Sequence, residues 1–361
     1  MNAKPEGHFP ADYRSARIAF IKACTAANLG SIARVHPTAK ARDGKPLFLD
    51  TATIGPRDAQ SALLLISGTH GVEGYFGSGV QTGLLREGLA SRMPKAAKVV
   101  LLHALNPYGF SWDRRVDEEN ADVNRNFVDH TKPPANEAYE ALADAITPKD
   151  ISAEALKIAN AKLRAYSQAH GAFALQEAIS KGQYEFPDGL YFGGRRQGWS
   201  ARMLYDVFRE ELAQVKKLIV IDFHTGLGAH GEGEMISEDL PGSAPYRRAK
   251  RLWGERVKSS EASESVSVPL TGTIDKAFPA WMRGGELTFA ALEMGTVATR
   301  EGFLALRKDN WLHRVAGTAH SAADAIRREL RAAFYPDTLE WKRKAWAAAH
   351  EVVGAALEAL G

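Results

Sequence analysis

Cysteine is almost absent from this 361-residue chain, with Cys24 the single thiol. No intrachain disulfide can form and no cysteine-rich metal site can be built. Cys24 lies in the apolar stretch FIKACTAA, which predicts a buried thiol. A charge excess is missing too. The formal net charge is +3, from 46 Lys and Arg against 43 Asp and Glu. That is too small a balance to supply the clustered basic field that nucleic acid or an anionic membrane surface attracts. Short basic runs such as Arg195-Arg196 and Lys342-Arg343-Lys344 read as solvated faces. No apolar run is long enough to span a bilayer, and the polar start MNAKPEGHFPADY has no signal-peptide core. These absences predict a cytoplasmic protein with no nucleic-acid and no membrane partner. Internal repeats and low-complexity linkers are lacking as well.

What remains is ordinary globular composition, 45% hydrophobic and 25% charged, in a chain long enough to bury a large core. Residues 11–28 read as an amphipathic helix with Tyr13, Ile18, Ile21 and Ala26 at helical spacing. Residues 47–54 alternate like a strand. Three short apolar runs suit strands buried on both faces: 62–67, 99–103 and 218–223. A fourth, 287–292, ends at Glu293. Helices fit the residues after Gly74 to about Leu89, then 199–215, 245–260 and most of 309–332 and 338–359. Residues 135–181 read as helical segments broken at Pro148 and Gly171. A long polar loop is expected from Gly109 to about Lys132. Strands alternating with helices point to a layered α/β fold. The best candidate for an insertion is 132–198. It ends in the loop Phe192-Gly-Gly-Arg-Arg-Gln-Gly198, which lacks the spacing of a phosphate-binding loop and reads as plain turn.

Polar residues collect where the apolar runs stop, the place where open α/β sheets bind ligands. His70 and Glu73 stand in Gly68-Thr-His-Gly-Val-Glu-Gly74, where Gly71 and Gly74 permit a tight backbone path. Alone, His-x-x-Glu is a weak motif. His224 supplies a third donor, and two histidines with one glutamate make a zinc set that leaves a coordination position open. Asp222 shares a strand side with His224. Glu293 interrupts an apolar run, as a general base or as the partner of a buried arginine. The segment 106–127 holds Arg114, Arg115 and Arg125, which suit a substrate carboxylate or a tetrahedral oxyanion, or simply structure a loop. His103, His130 and His230 read as structural or solvent-facing, with His230 an alternative ligand.

The order of these pieces resembles the zinc carboxypeptidase family: His70-Gly-Val-Glu73, Asn106-Pro-Tyr-Gly109, Asp122-Val-Asn-Arg-Asn-Phe127, His224 and Glu293. It looks like a divergent, uncharacterised bacterial branch, related to the succinylglutamate desuccinylase and aspartoacylase group. The resemblance implies a three-layer α/β/α sandwich around a mixed, twisted, mostly parallel sheet, as one domain over 1–361 with a helical insertion at about 132–198. It implies one zinc ion on His70, Glu73 and His224, with Glu293 as proton shuttle. Asn124 and Arg125 would bind the substrate carboxylate, and Asp122 would orient His70. Arg114 and Arg115 both qualify as oxyanion stabiliser, with Arg115 favoured. The sequence departs from the family at 269–275, which has no tyrosine.

Three functions follow as expectations. The first is a metallocarboxypeptidase acting on a peptide with a free carboxylate. The second is a small-molecule amidohydrolase or N-acyl-amino-acid deacylase on the same metal site. The third is a non-catalytic zinc or peptide-binding module, which would have no use for Glu293.

Overall fold

In the computed structural model, which describes residues 4–361, the apolar runs sort into one sheet. Its strands are β1 (Ile32–Lys40), β2 (Pro46–Ile54), β3 (Ser61–Ile66), β4 (Ala97–His103), β5 (Lys217–Gly226), β6 (Gly233–Ser237), β7 (Val257–Ser259) and β8 (Glu286–Gly295). They lie in the order β1-β2-β4-β3-β5-β8-β6-β7. The centre, β4-β3-β5-β8, is parallel throughout. The pairs β1–β2, β2–β4 and β6–β8 are antiparallel, so the sheet is mixed.

Thirteen helices, counted among the described residues, surround it: α1 (Tyr13–Ala26), α2 (Gly74–Arg86), α3 (Leu89–Arg92), α4 (Pro107–Trp112), α5 (Glu137–Ile146), α6 (Ala153–His170), α7 (Ala172–Ser180), α8 (Trp199–Val207), α9 (Ala244–Trp253), α10 (Phe278–Met282), α11 (Thr299–Trp311), α12 (Ala323–Phe334) and α13 (Leu339–Glu358). Strand pleating sends alternate residues to opposite faces. Leu63, Leu65, Val99, Leu101, Ile219 and Ile221 pack beneath α1, α2, α9 and α13. Leu64, Ile66, Val100, Leu102, Leu218 and Val220 pack beneath α8 and α10. Each such side chain contributes roughly 1.5–3 kcal/mol by leaving water, which is why the unbroken apolar runs lie at the sheet centre. The result is an α/β/α sandwich. A further apolar cluster joins α5, α6 and α7 to α11 and α12 around Val72, just after β3.

Several expectations need correction. The buried face of α1 is Tyr13, Ala16, Phe20, Ala23 and Cys24, while Ile18 is 47% exposed. The aromatic anchors Tyr13 and Phe20 enter the core, Ile21 packs against its margin, and Ile18 stays outside. The polar loop after Gly109 begins as α4, capped by the Asn106 side chain accepting from the Gly109 N–H at 2.8 Å. The helix expected at 245–260 stops at Trp253, and 257–259 is an edge strand parallel to β6. β1 and β6 give no clear sequence signal because β1 is a largely exposed edge strand and β6 is short and lies next to the other edge. The expected 199–215 helix ends its regular turns at Val207 and widens into a π turn over Phe208–Leu212. The expected 309–332 helix is two, α11 and α12, separated by a π turn and Gly317. No described helix is long and apolar enough to cross a membrane.

Candidate metal centre and substrate cleft

His70 follows β3, and a 3₁₀ turn over Gly71–Glu73 brings the Glu73 carboxylate back to the imidazole at 2.9 Å. Gly71 is needed for this path. A Cβ there would lie 2.0 Å from the Gly109 carbonyl carbon, backbone against backbone. A Cβ at Gly74 would lie 2.7 Å from the Phe110 ring. His224 comes from β5, whose pairing with β8 sets it opposite Glu293. In a parallel pair, partnered residues project to the same face, so the strand register alone seats the third donor beside the carboxylate.

His70, Glu73 and His224 each offer one ligand atom, all within 4.8 Å of one another, and all three residues are buried. His70 Nε2 is 3.1 Å from Asp122 Oδ1, and His224 Nε2 is 2.7 Å from Asp222 Oδ2. Asp222 is fixed in turn by the Thr69 hydroxyl at 2.8 Å. A ring nitrogen that donates to a carboxylate leaves the other with a lone pair. Those other nitrogens, the two Nδ1 atoms, face each other at 3.2 Å with Glu73 Oε2 3.1 Å from one of them. Two lone pairs and a carboxylate converging on one point is the donor chemistry of a zinc site. The residues fit the ion.

The electrostatics are consistent with a buried charge centre. Burial works against ionisation of Glu73, but His70 and His224 hold its carboxyl well below the usual range. Burial would depress His224, yet Asp222 and Glu73 hold it well above an ordinary imidazole, so a metal ion taken by its Nδ1 would displace a proton there. Glu293 shows the opposite balance. Burial and the negative charge of Glu73 push it up to about 8. A divalent cation beside Glu73 would cancel that second push. One Glu293 oxygen, Oε1, accepts the Leu227 N–H at 2.8 Å.

The arginines divide. Arg115 donates from Nε to Asp122 at 2.9 Å and from Nη1 to Glu73 at 3.3 Å, and it lines the cleft. Its Nη2 also lies 2.8 Å from His70 Nε2. Arg114, the other expected oxyanion candidate, turns away from the cleft. It is buried on Asp309 at 2.9 Å and Asn120 at 3.1 Å, so its charge is consumed in a structural pair. Arg125 reaches the cleft with its guanidinium held by main chain. Nε and Nη2 donate to the Ser180 carbonyl at 3.1 and 2.7 Å, and Nη1 donates to the Asn124 carbonyl at 2.7 Å. Three of its five N–H groups are thereby spent, and one remains on each terminal nitrogen. Asn124 accepts from the Ile274 N–H at 2.9 Å through Oδ1, which leaves its amide NH₂ to donate.

These groups share one cleft of about 590 Å³. Much of its wall comes from the segment singled out as an insertion: Leu163, Leu175, Ile179 and Ser180 from α6 and α7. Two lining residues had no sequence signal. Tyr191 sits in an ordinary-looking glycine-rich stretch, and Glu238 lies just past β6. Burial and the charge of Asp275 push Glu238 up to about 7. Asp222 was legible in advance through the two-residue period of a strand. The remaining histidines take structural roles. His103 is bonded to Ser78 at 2.8 Å, His130 to the Asn126 carbonyl at 3.0 Å, and His230 to the Thr296 carbonyl at 2.8 Å. The loop 192–198 is held by the Asn126 amide, which donates to the Gly193 carbonyl at 2.7 Å and the Arg196 carbonyl at 2.9 Å.

A family model described as "Protein of unknown function (DUF2817)" matches residues 9–348. The chain belongs to this family. No curated protein matches it. Among solved structures it is similar to bovine thrombin-activatable fibrinolysis inhibitor in complex with tick carboxypeptidase inhibitor, with a TM-score of 0.51 and 9% identity over 98% of this chain and 97% of that one. It is similar to a putative carboxypeptidase A from Shewanella denitrificans, with a TM-score of 0.50 and 10% identity over 98% of this chain and 71% of that one. A succinylglutamate desuccinylase from Chromobacterium violaceum also matches, with a TM-score of 0.39 and 14% identity over 87% of this chain and 72% of that one. The fold is the carboxypeptidase-like α/β fold of these structures.

Proposed function

We propose that this DUF2817 protein is a zinc-dependent hydrolase of an amide bond, acting as a metallocarboxypeptidase on substrates with a free carboxylate. The observation that supports this most is the convergence of His70 Nδ1, His224 Nδ1 and Glu73 on one point, with Glu293 opposite His224 across the strand pair. Bound there, zinc supplies the Lewis acidity that polarises an amide carbonyl and makes water nucleophilic near neutral pH.

The chain's own groups do the rest. Glu293, with Oε1 held by the Leu227 N–H, keeps Oε2 to take the proton of the attacking water and return it to the leaving nitrogen. Arg115 stands beside the triad to stabilise charge that develops on the carbonyl oxygen. The two unspent N–H groups of Arg125 and the amide of Asn124 grip the substrate carboxylate. Asp122 and Asp222 hold the histidine tautomers. Residues 132–198 are an insertion within one domain over 1–361, and α6 and α7 cover the cleft.

A deacylase of small N-acyl amino acids is the second reading, favoured by the apolar wall of Leu163, Leu175 and Ile179, which narrows the cleft. A panel of N-acylated dipeptides against N-acetyl amino acids separates the two. Metal analysis should find about one zinc per chain, lost in His224→Ala. Glu293→Gln should keep the metal and lose at least about 100-fold in kcat. A protein that binds no metal, or a Glu293→Gln variant with full turnover, would overturn the reading.

A further inference from the structure

Tyr191 has an unusual backbone and an unusual setting. Its φ is 54°, in the left-handed region that a bulky non-glycine residue seldom occupies. Such strain persists only where neighbours over-determine it, and here they do. The Gln183 N–H bonds the Tyr191 carbonyl at 3.1 Å, and the Asp122 N–H bonds the Phe192 carbonyl at 2.7 Å. The second anchor is the same Asp122 whose carboxylate engages His70. The strained peptide is therefore tied directly to the metal-site scaffold.

The strain aims the ring. Tyr191 lies under the Arg115 guanidinium at 5.2 Å and the Arg125 guanidinium at 5.8 Å, within reach of cation–π attraction. It lines the same cleft as His70, Glu73, His224 and Glu293. Among the described residues its hydroxyl has no hydrogen-bond partner. Tyr184, seven residues earlier, spends its own hydroxyl on the Arg125 carbonyl at 2.7 Å. Tyr191 is half-buried and lines the cleft, so its hydroxyl is free to meet a substrate. Burial raises the Tyr191 phenol above its ordinary range, so it keeps its proton at neutral pH. The ring lies closer to the Arg115 guanidinium, at 5.2 Å, than to that of Arg125, at 5.8 Å, on the side of the cleft where Arg115 meets Glu73.

We propose that the Tyr191 hydroxyl donates a hydrogen bond to the scissile carbonyl oxygen beside Arg115, and so is a second oxyanion donor. This rests on the amide-hydrolase reading. A donor aimed at developing charge lowers the barrier more than it tightens substrate binding.

The test uses the full-length zinc-loaded protein and its Tyr191→Phe variant, which keeps the ring over both guanidiniums and removes the hydroxyl alone. Expected is a fall of about 100-fold in kcat with KM within twofold. Zinc content and Tm should match wild type. A peptide analogue carrying a tetrahedral phosphonate at the scissile position should bind the variant about 100-fold more weakly, while an N-acetyl amino acid, which offers only a carboxylate and a planar amide, should bind both alike. A variant with wild-type kcat overturns the proposal, as does one that changes KM alone. If wild type hydrolyses nothing in the panel, the amide-hydrolase reading fails, and the phosphonate arm still decides the role of Tyr191. Equal phosphonate affinity in wild type and variant then overturns it.

Discussion

At the scale of single residues, neighbours of like type take unlike roles because of what surrounds them. Arg114 and Arg115 are adjacent in sequence, yet one is paired with Asp309 in the interior and the other faces the triad. Removing one partner of a buried pair leaves an uncompensated charge. Arg114→Ala should therefore cost about 3–5 kcal/mol in chemical denaturation while leaving the donor set of the metal centre in place, whereas Arg115→Ala, which strips a partner from the buried Asp122 and Glu73 as well, should also reduce kcat. An Arg114→Ala variant of wild-type stability would contradict the first expectation. Glu238 offers a pH test. Its carboxyl is raised from 4.5 to about 7 by burial and then by Asp275, against the hydrogen bond from Ser260 and the charges of Lys276 and Arg125. Below pH 4.5 it is protonated in both the folded and the unfolded chain. Between 4.5 and 7 the unfolded chain releases the proton first, so stability falls as pH rises, by up to about 3 kcal/mol. Glu238→Gln should gain on wild type between pH 5 and pH 8 in urea titrations. A gain of the same size at both values would show that ionisation is not the cause.

At the scale of elements, the geometry of the candidate metal centre depends on two backbone features, a strand register and a glycine contact. The β5–β8 register places His224 opposite Glu293, and a slip by one residue would put the two side chains on opposite faces of the sheet. The Gly71 contact with the Gly109–Phe110 peptide closes the turn between His70 and Glu73. Gly71→Ala forces that peptide to move, at a cost of about 1–3 kcal/mol. It should lower both Tm and zinc content. Wild-type zinc content would show that the turn tolerates the shift. These elements also show what was readable beforehand. The central strands were legible because burial on both faces demands unbroken apolar runs. β1 and β6 were not, since edge pairing is settled by neighbours and leaves little trace in composition. The face of α1 was legible in part: Tyr13 and Ile21 turn inward as the spacing predicts, while Phe20 and not Ile18 fills the core between them.

At the scale of the whole molecule, α6 and α7 form part of the cleft wall, and together with α5 they are held to the body through α11. Arg307 does much of the holding. Its Nε donates to the Ile146 carbonyl at 3.1 Å, its Nη1 to Asn160 at 2.7 Å, and its Nη2 to the Ala145 carbonyl. Hydrogen bonds from a charged donor contribute about 1.5–3 kcal/mol each. Arg307→Ala should therefore free the segment, seen as faster limited proteolysis between 147 and 171. An unchanged cleavage rate would show that the apolar cluster around Val72 suffices by itself.

The chemistry of the candidate site was carried by local sequence. His-x-x-Glu in a glycine turn, a histidine and a glutamate at the ends of apolar runs, and the Asn124-Arg125 pair are all short-range patterns, because ligand type and strand-end position are local properties. What surrounds that chemistry was decided by tertiary structure. Which arginine faces the triad, how the turn after β6 carries Glu238 into the cleft, and how a strained Tyr191 comes to lie under two guanidiniums all depend on contacts between residues far apart in the chain. No local pattern records such contacts, since each is fixed by the packing of the segments that bring it together.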